Sequence, residues 1–374
     1  MEYCTKCLYP ETKPDLVFDE QGICSACNAF TSRENIDWAS REEQFKKLVA
    51  RAKGSSFGYD CIIPVSGGKD SHYQIIKALE YGLTPLAITA TTDDLSIIGR
   101  RNLNNISKLG VDHIEVSVNS KLRRRINAHT LREIGDISWA EHVTIFTIPM
   151  QIAIEKDIKL IIWGENPQNE YGGPGSETQT TLCMSPTWLQ EFGGLNGMRV
   201  SDLIDKDILT YNTANFYKMP SHAFTDGIKA IFLGQFFPWD GKANAEIAKA
   251  NGFEFHPGPV EGCGENYENL DNHQTGIHDY FKWLKFGFGR ATDIACNHIR
   301  RGLITRNEGK EFIMEFDGAF PRTYLGKPLE DILKRIDVTT EEFMQICDRF
   351  TNKALFLPRG HYPRPRLKYN ILEA

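Results

Sequence analysis

No apolar run in these 374 residues approaches the roughly 18–20 needed to cross a bilayer, and Met1-Glu2-Tyr3-Cys4 opens without the hydrophobic region of a signal peptide. The expectation is a cytoplasmic protein with no membrane partner. Low-complexity tracts are missing as well. With 41% hydrophobic and 25% charged residues, the composition is that of an ordinary globular chain, long enough for one large domain with appendages or for two domains. A basic excess is also lacking: the net charge of −6 argues against a broad nucleic-acid footprint, though not against a local basic pocket. Cysteine is not scarce. Nine of them in a reducing compartment read as metal ligands or free thiols before disulfides.

Four of the nine stand in two C-x-x-C pairs, Cys4/Cys7 and Cys24/Cys27. Two such knuckles supply four thiolates to a closed tetrahedral site, the arrangement of a zinc ribbon, with an iron–sulfur cluster or unmetallated thiols as the alternatives. Because every position is a thiolate, the site reads as structural, and a segment as small as residues 1–30 depends on its metal to fold. Cys263, between Gly262 and Gly264, superficially resembles a nucleophile elbow but follows no strand. Cys61, Cys183, Cys296 and Cys347 read as core or loop thiols.

Hydrophobic runs alternate with amphipathic stretches along the middle of the chain. Strands are expected at 60–65, 84–90, 113–118, 159–163 and 229–234, and helices at 36–53, 71–81, 99–109, 142–156 and 241–252. That alternation predicts an α/β fold: a five-stranded, mainly parallel sheet flanked by helices, with ligands held beyond the strand C-terminal ends. The division expected is a knuckle over 1–30, a linker helix over 31–58, the sheet domain over 59–260 with an insertion at 172–222, and a helical region over 261–374. The insertion, rich in Gly, Ser, Thr and Asn, reads as a substrate loop or an interface. The basic stretch Lys121–Arg125 reads as a solvated helix start, or as a phosphate or nucleic-acid contact. Lys285 and Arg290 bracket a two-glycine break in a helical stretch, so they are either charge stabilisers for a leaving phosphate or two surface cations at a kink. Helices near 310–316 and 329–350 are expected to pack on the sheet or to build a homodimer face.

The stretch with the most chemistry is Ser66-Gly67-Gly68-Lys69-Asp70-Ser71, directly after the first strand. A helix start behind a glycine turn offers free backbone N–H groups and the positive end of the helix dipole to a phosphate. Ser66 and Ser71 add hydroxyls, Lys69 a point charge, and Asp70 a carboxylate for Mg²⁺. The spacing is not that of the kinase and GTPase loop.

This hexapeptide resembles the PP-loop of ATP pyrophosphatases, which split ATP into AMP and pyrophosphate while adenylating a substrate, and so implies the PP-loop, HUP-like version of the fold. In similar synthetases a glycine at the fourth strand end precedes an Mg²⁺-binding acid, a pattern matched by Gly164 and Glu170, with Glu165 as the competing ligand and an exposed loop acid as the bland alternative. Taken with the knuckle, Gly164-Glu165-Asn166, Glu170-Tyr171-Gly172-Gly173 and Lys285–Arg290, the chain resembles the N-acetyl sugar amidotransferase family of bacterial surface-polysaccharide pathways, which includes enzymes acting on pseudaminic or legionaminic acid of flagellar glycans and on O-antigen uronic acids of lipopolysaccharide. The resemblance implies an ATP-dependent, AMP- and pyrophosphate-forming carbon–nitrogen ligase acting on an N-acetylated, possibly nucleotide-linked sugar. Its cofactors would be ATP, Mg²⁺ on Asp70 and Glu170, and structural Zn²⁺. Ser66, Gly67, Gly68 and Ser71 would hold pyrophosphate, Lys69 would neutralise it, and backbone at Thr89 and Ala90 would read adenine. Ammonia would come from a separate glutaminase subunit resembling that of imidazole glycerol phosphate synthase; Glu2 directly after Met1, where a glutaminase with an N-terminal nucleophile would carry cysteine, supports that expectation. A tRNA-thiolating or lysidine-type enzyme with the same loop is the alternative, against which stands the acidic charge.

Overall fold

The central strands of the sheet are buried on both faces. The computed structural model describes residues 1–54, 58–165, 170–172, 195–221, 227–358, 365–369 and 371–373; residues 173–194 of the insertion, Cys183 and Gly173 among them, and Asn166 lie outside them. Strands β1 (Cys61–Pro64), β2 (Pro85–Ala90), β3 (Asp112–Val116), β4 (Leu160–Trp163) and β5 (Lys229–Phe232) form one sheet in the order β3-β2-β1-β4-β5. All four pairings are parallel, with Ile62 opposite Leu86 on one side and Ile161 on the other. Near-continuous apolar runs such as Cys61-Ile62-Ile63 and Leu160-Ile161-Ile162-Trp163 are what a parallel sheet covered by helices requires. Chain order runs outward from β1 through β2 to β3, then jumps back beside β1 for β4 and β5. The switch point therefore falls between β1 and β4, where a crevice opens beyond the strand ends.

Helices α1 (Ser25–Ser32), α2 (Trp38–Ala52), α3 (Lys69–Glu80), α4 (Ile97–Asn105), α5 (Ser120–Ile134) and α6 (Trp139–Glu155) precede β4. The basic stretch at Lys121 is the first turn of α5, which Asn119 caps by accepting the Leu122 N–H. Pro149 lies inside α6, which continues through it. A short α7 (Val200–Asp205) precedes β5, and α8 (Gly241–Ala250) follows it. The C-terminal region holds α9 (Thr275–Phe286), α10 (Arg290–Arg300), α11 (Arg306–Phe316), α12 (Leu329–Lys334) and α13 (Thr340–Phe350). Gly287, at φ 75°, ends α9, so the two-glycine break separates two helices.

The knuckle has no core of its own. Its four cysteines, Leu8 and Tyr9 are buried against Phe288, Ala295, Cys296 and Ile313 of the C-terminal helices, forming a single cluster. Arg306 ties it down by donating to the backbone carbonyls of Cys4 and Cys7, each at 3.0 Å. Among the described residues no helix is long and apolar enough to cross a membrane.

Candidate active site

The loop after β1 is held by its own side chains. Ser66 N–H donates to Ser71 Oγ at 3.0 Å, and Gly68 N–H donates to Ser66 Oγ at 3.3 Å. Gly67 sits at φ +87°, and a Cβ there would lie 2.9 Å from the Leu103 backbone of α4. Only glycine fits that approach. Gly68 is the N-cap of α3, and no side chain caps it. The start of α3 thus presents main-chain donors to the crevice, as an anion site needs.

Lys69 is 6% exposed and is gripped by two carboxylates, Asp70 at 2.6 Å and Glu268 at 2.7 Å. Burial opposes its charge, but Asp70, Glu268 and Glu165 outweigh it and hold the ammonium well above its ordinary range. Glu268 binds Arg290 at 2.9 Å through its other oxygen and, despite burial, is drawn down to about 2 by Lys69 and Arg290. Asn244 of α8 donates to Asp70 at 3.2 Å. The result is a continuous run of alternating charge, Asp70–Lys69–Glu268–Arg290, along the mouth of the glycine turn.

Three cavities meet at this run. One of ≈ 330 Å³ lies over the ends of β1, β2 and β4, bordered by Thr89, Ala90, Phe146, Trp163, Gly164 and Glu165. A second, ≈ 180 Å³, follows Ser66–Ser71 and reaches Asn102, Glu268 and Arg290. The third, ≈ 40 Å³, opens between Lys69, Glu165, Tyr171, Tyr267, Arg290 and His298. Thr89 is fixed at the rim by donating to the Val65 carbonyl at 2.7 Å. The largest cavity is mostly apolar and of small-ligand size, and the loop cavity beside it is polar.

Glu165 is pushed up to about 8 by burial and by the neighbouring charge of Asp70. Two carboxylates forced together are what a divalent cation relieves, so Asp70 and Glu165 fit Mg²⁺ by oxygen donors and shared charge. The pH dependence follows. Between the ordinary 4.5 and about 8, the folded chain keeps a proton on Glu165 that the unfolded chain has released. Stability of the metal-free protein is expected to fall as pH rises across that window and to recover part of the loss in Glu165→Gln, read as urea midpoints.

Two expected site residues hold partners that the spacing did not anticipate. Glu170, matched to Mg²⁺ by its spacing from Gly164, carries one oxygen to Arg33 at 2.5 Å and the other to Arg301 at 2.9 Å. Both oxygens are taken by guanidinium groups, and the residue borders the smallest cavity together with Lys69 and Glu165. Lys285 lies at the end of α9, donating to the Ile134 carbonyl at 2.5 Å, with its ammonium 5.5 Å from the Phe350 ring centre. It compensates the C-terminal end of α5 and borders none of the three cavities. Lys285→Met is expected to cost about 1 kcal/mol in urea denaturation and to leave turnover unchanged.

The structure also adds residues that no local pattern marked. Glu268 comes from an irregular stretch between α8 and α9. Asp317, just past α11, accepts from the N–H groups of Gly289 at 2.8 Å and Ala291 at 2.9 Å, fastening the start of α10 and with it Arg290.

Cys4, Cys7, Cys24 and Cys27 form a buried cluster with the donor set of a metal site, their sulfurs all within 4.8 Å of one another. Cys4 and Cys27 are 3.8 Å apart, and Cys7 and Cys24 are 3.7 Å apart. The Cys24 N–H donates to Cys4 Sγ at 3.2 Å and the Cys7 N–H to the same sulfur at 3.5 Å, steadying a thiolate.

Residues 261–364 match the family model described as LPS biosynthesis protein WbpG-like, C-terminal domain. No curated protein matches the chain. Among solved structures, the chain is similar to the NH3-dependent NAD synthetase from Campylobacter jejuni, at 14% identity over 58% of this chain and 97% of that one, with a TM-score of 0.29. It is also similar to the NMN synthetase from Francisella tularensis, at 13% identity over 57% of this chain and 87% of that one, TM-score 0.29. The U34-tRNA thiolase NcsA from Methanococcus maripaludis, with its [4Fe-4S] cluster, matches at 14% identity over 84% of this chain and 89% of that one, TM-score 0.31. At such TM-scores these three likenesses assign neither an activity nor a substrate.

Proposed function

We propose that this protein is an AMP- and pyrophosphate-forming ATP-dependent synthetase that converts the acetamido group of an N-acetylated sugar into an acetamidino group. The observation that carries the reading is the Ser66–Ser71 turn at the sheet's switch point, with Lys69 and Arg290 at its mouth and a nucleoside-sized cavity beside it. The match of residues 261–364 to a domain of lipopolysaccharide biosynthesis supports a sugar substrate.

In the first step the acetamido carbonyl oxygen attacks the α-phosphorus of ATP and the bond to pyrophosphate breaks, leaving an O-adenylated imidate. Ammonia then adds to the activated carbon, the adduct loses a proton, and AMP departs. An amide oxygen leaves poorly and AMP leaves well, which is why ATP is consumed. The protein's part is positioning and charge compensation. Main-chain donors at Gly67 and Gly68 and the hydroxyls of Ser66 and Ser71 hold the departing pyrophosphate. Lys69 and Arg290 receive its charge, and Thr89 and Ala90 border the nucleobase. Mg²⁺ on Asp70 and Glu165 would neutralise phosphate oxygens. Ammonia is supplied by a separate glutaminase subunit. Zinc in the knuckle fits the sulfur spacings, since Zn–S bonds of about 2.3 Å in a tetrahedron set sulfurs about 3.8 Å apart.

The test is incubation with Mg²⁺-ATP, ammonia and an acetamido sugar. AMP and pyrophosphate are expected; ADP and phosphate would overturn the reading.

A further inference from the structure

The four-cysteine cluster is joined to the nucleotide loop by an unbroken series of polar contacts. Tyr9 belongs to the knuckle: its N–H donates to Cys7 Sγ at 3.5 Å, and its carbonyl accepts the Cys4 N–H at 2.8 Å. Its side chain leaves the knuckle. The Tyr9 ring is fully buried, and its hydroxyl donates to Asp293 Oδ1 at 2.9 Å. Asp293, on the first turn of α10, faces Arg290 at 3.9 Å and Lys282 through its other oxygen. Arg290 holds Glu268, and Glu268 holds Lys69.

A knuckle that served only to keep the chain's first residues folded would need none of this. Burying a tyrosine hydroxyl against an aspartate is unfavourable unless the pair is fixed, and here Asp293 is fixed from three sides. The aspartate shares its charge between the cations of α9 and α10, so the direction of the Tyr9 hydroxyl bears on how Arg290 divides itself between Asp293 and Glu268. Removing that hydrogen bond frees Asp293 to draw Arg290 toward itself and away from Glu268.

We infer that Tyr9 and Asp293 are positioning residues through which the metal-loaded knuckle sets Arg290 at the mouth of the phosphate loop. The metal's role is then at the site as well as in the fold, without touching the reacting atoms. The inference rests on the proposed reading for Arg290's purpose, while the contacts themselves do not.

The probes are inorganic pyrophosphate with Mg²⁺, followed by calorimetry, and amide hydrogen exchange of the full chain. Tyr9→Phe keeps the ring and removes the hydroxyl. It is expected to weaken pyrophosphate binding about three- to tenfold and to speed exchange at residues 289–293, while β1, β2 and β4 keep their protection. Stripping the metal with a chelator is expected to do the same. In an Arg290→Gln background the Tyr9→Phe effect on binding should vanish, whereas a general loosening of the structure would add to it. Unchanged exchange at 289–293 in both Tyr9→Phe and stripped protein, or additive effects with Arg290→Gln, would overturn the inference. If the unaltered protein bound no pyrophosphate, the reading of the loop would fall, and exchange at 289–293 would still decide this point.

Discussion

Lys69→Met is expected to reduce AMP and pyrophosphate formation by about 10²- to 10³-fold, the usual cost of removing one preorganised charge from the place where charge develops. The size of the effect comes from burial. At 6% exposure, Lys69 has little water to share its charge with, and Asp70 and Glu268 hold the ammonium in place before any phosphate arrives. No reorganisation is needed when the bond to pyrophosphate breaks. The variant also leaves Asp70 and Glu268 without their common partner, so pyrophosphate affinity should fall together with the rate. Steady-state AMP release and calorimetry with Mg²⁺-pyrophosphate check both. A rate equal to that of the unaltered protein would remove Lys69 from the reaction.

Gly67→Ala is expected to destabilise the fold by about 2–4 kcal/mol, combining a left-handed backbone that a Cβ penalises with overpacking against a helix. The new methyl would lie 2.9 Å from the backbone of Leu103, and a backbone cannot swing aside as a side chain can. Gly68→Ala, one residue along, is the control. Its nearest neighbour would be Ser66 Oγ at 3.4 Å, an ordinary contact at an ordinary negative φ. A loss of a few tenths to about 1 kcal/mol is expected there, from the N-cap preference alone. Urea denaturation of both variants separates them. Equal stability would show that α4 gives way.

Strand identity was legible because burial on two faces leaves an apolar run too short for a helix. Ile62-Ile63, Leu86–Ile88 and Ile161-Ile162 announce themselves in this way. Boundaries were less so: the stretch at 329–350 reads as one amphipathic helix, yet Asp337, at φ 53°, breaks it into α12 and α13. Spacing carried the loop and the cysteine pairs, since their chemistry is local: a turn and a helix start need only neighbours in sequence. Spacing did not record the partners of Glu170 and Lys285. Whether a carboxylate meets a metal or an arginine depends on what a distant segment brings to it, and Arg33 and Arg301 come from opposite ends of the chain.

Patterns within a few residues therefore mark the buried strands, the glycine turn with its serines, lysine and aspartate, and four thiols in two pairs. Only the tertiary structure decided which acid stands beside Asp70, that Glu268 bridges Lys69 to Arg290, and that the knuckle is buried against α10 and α11. These are contacts between segments far apart in the chain, chosen by packing and by the need to pair every buried charge, and no local pattern records them.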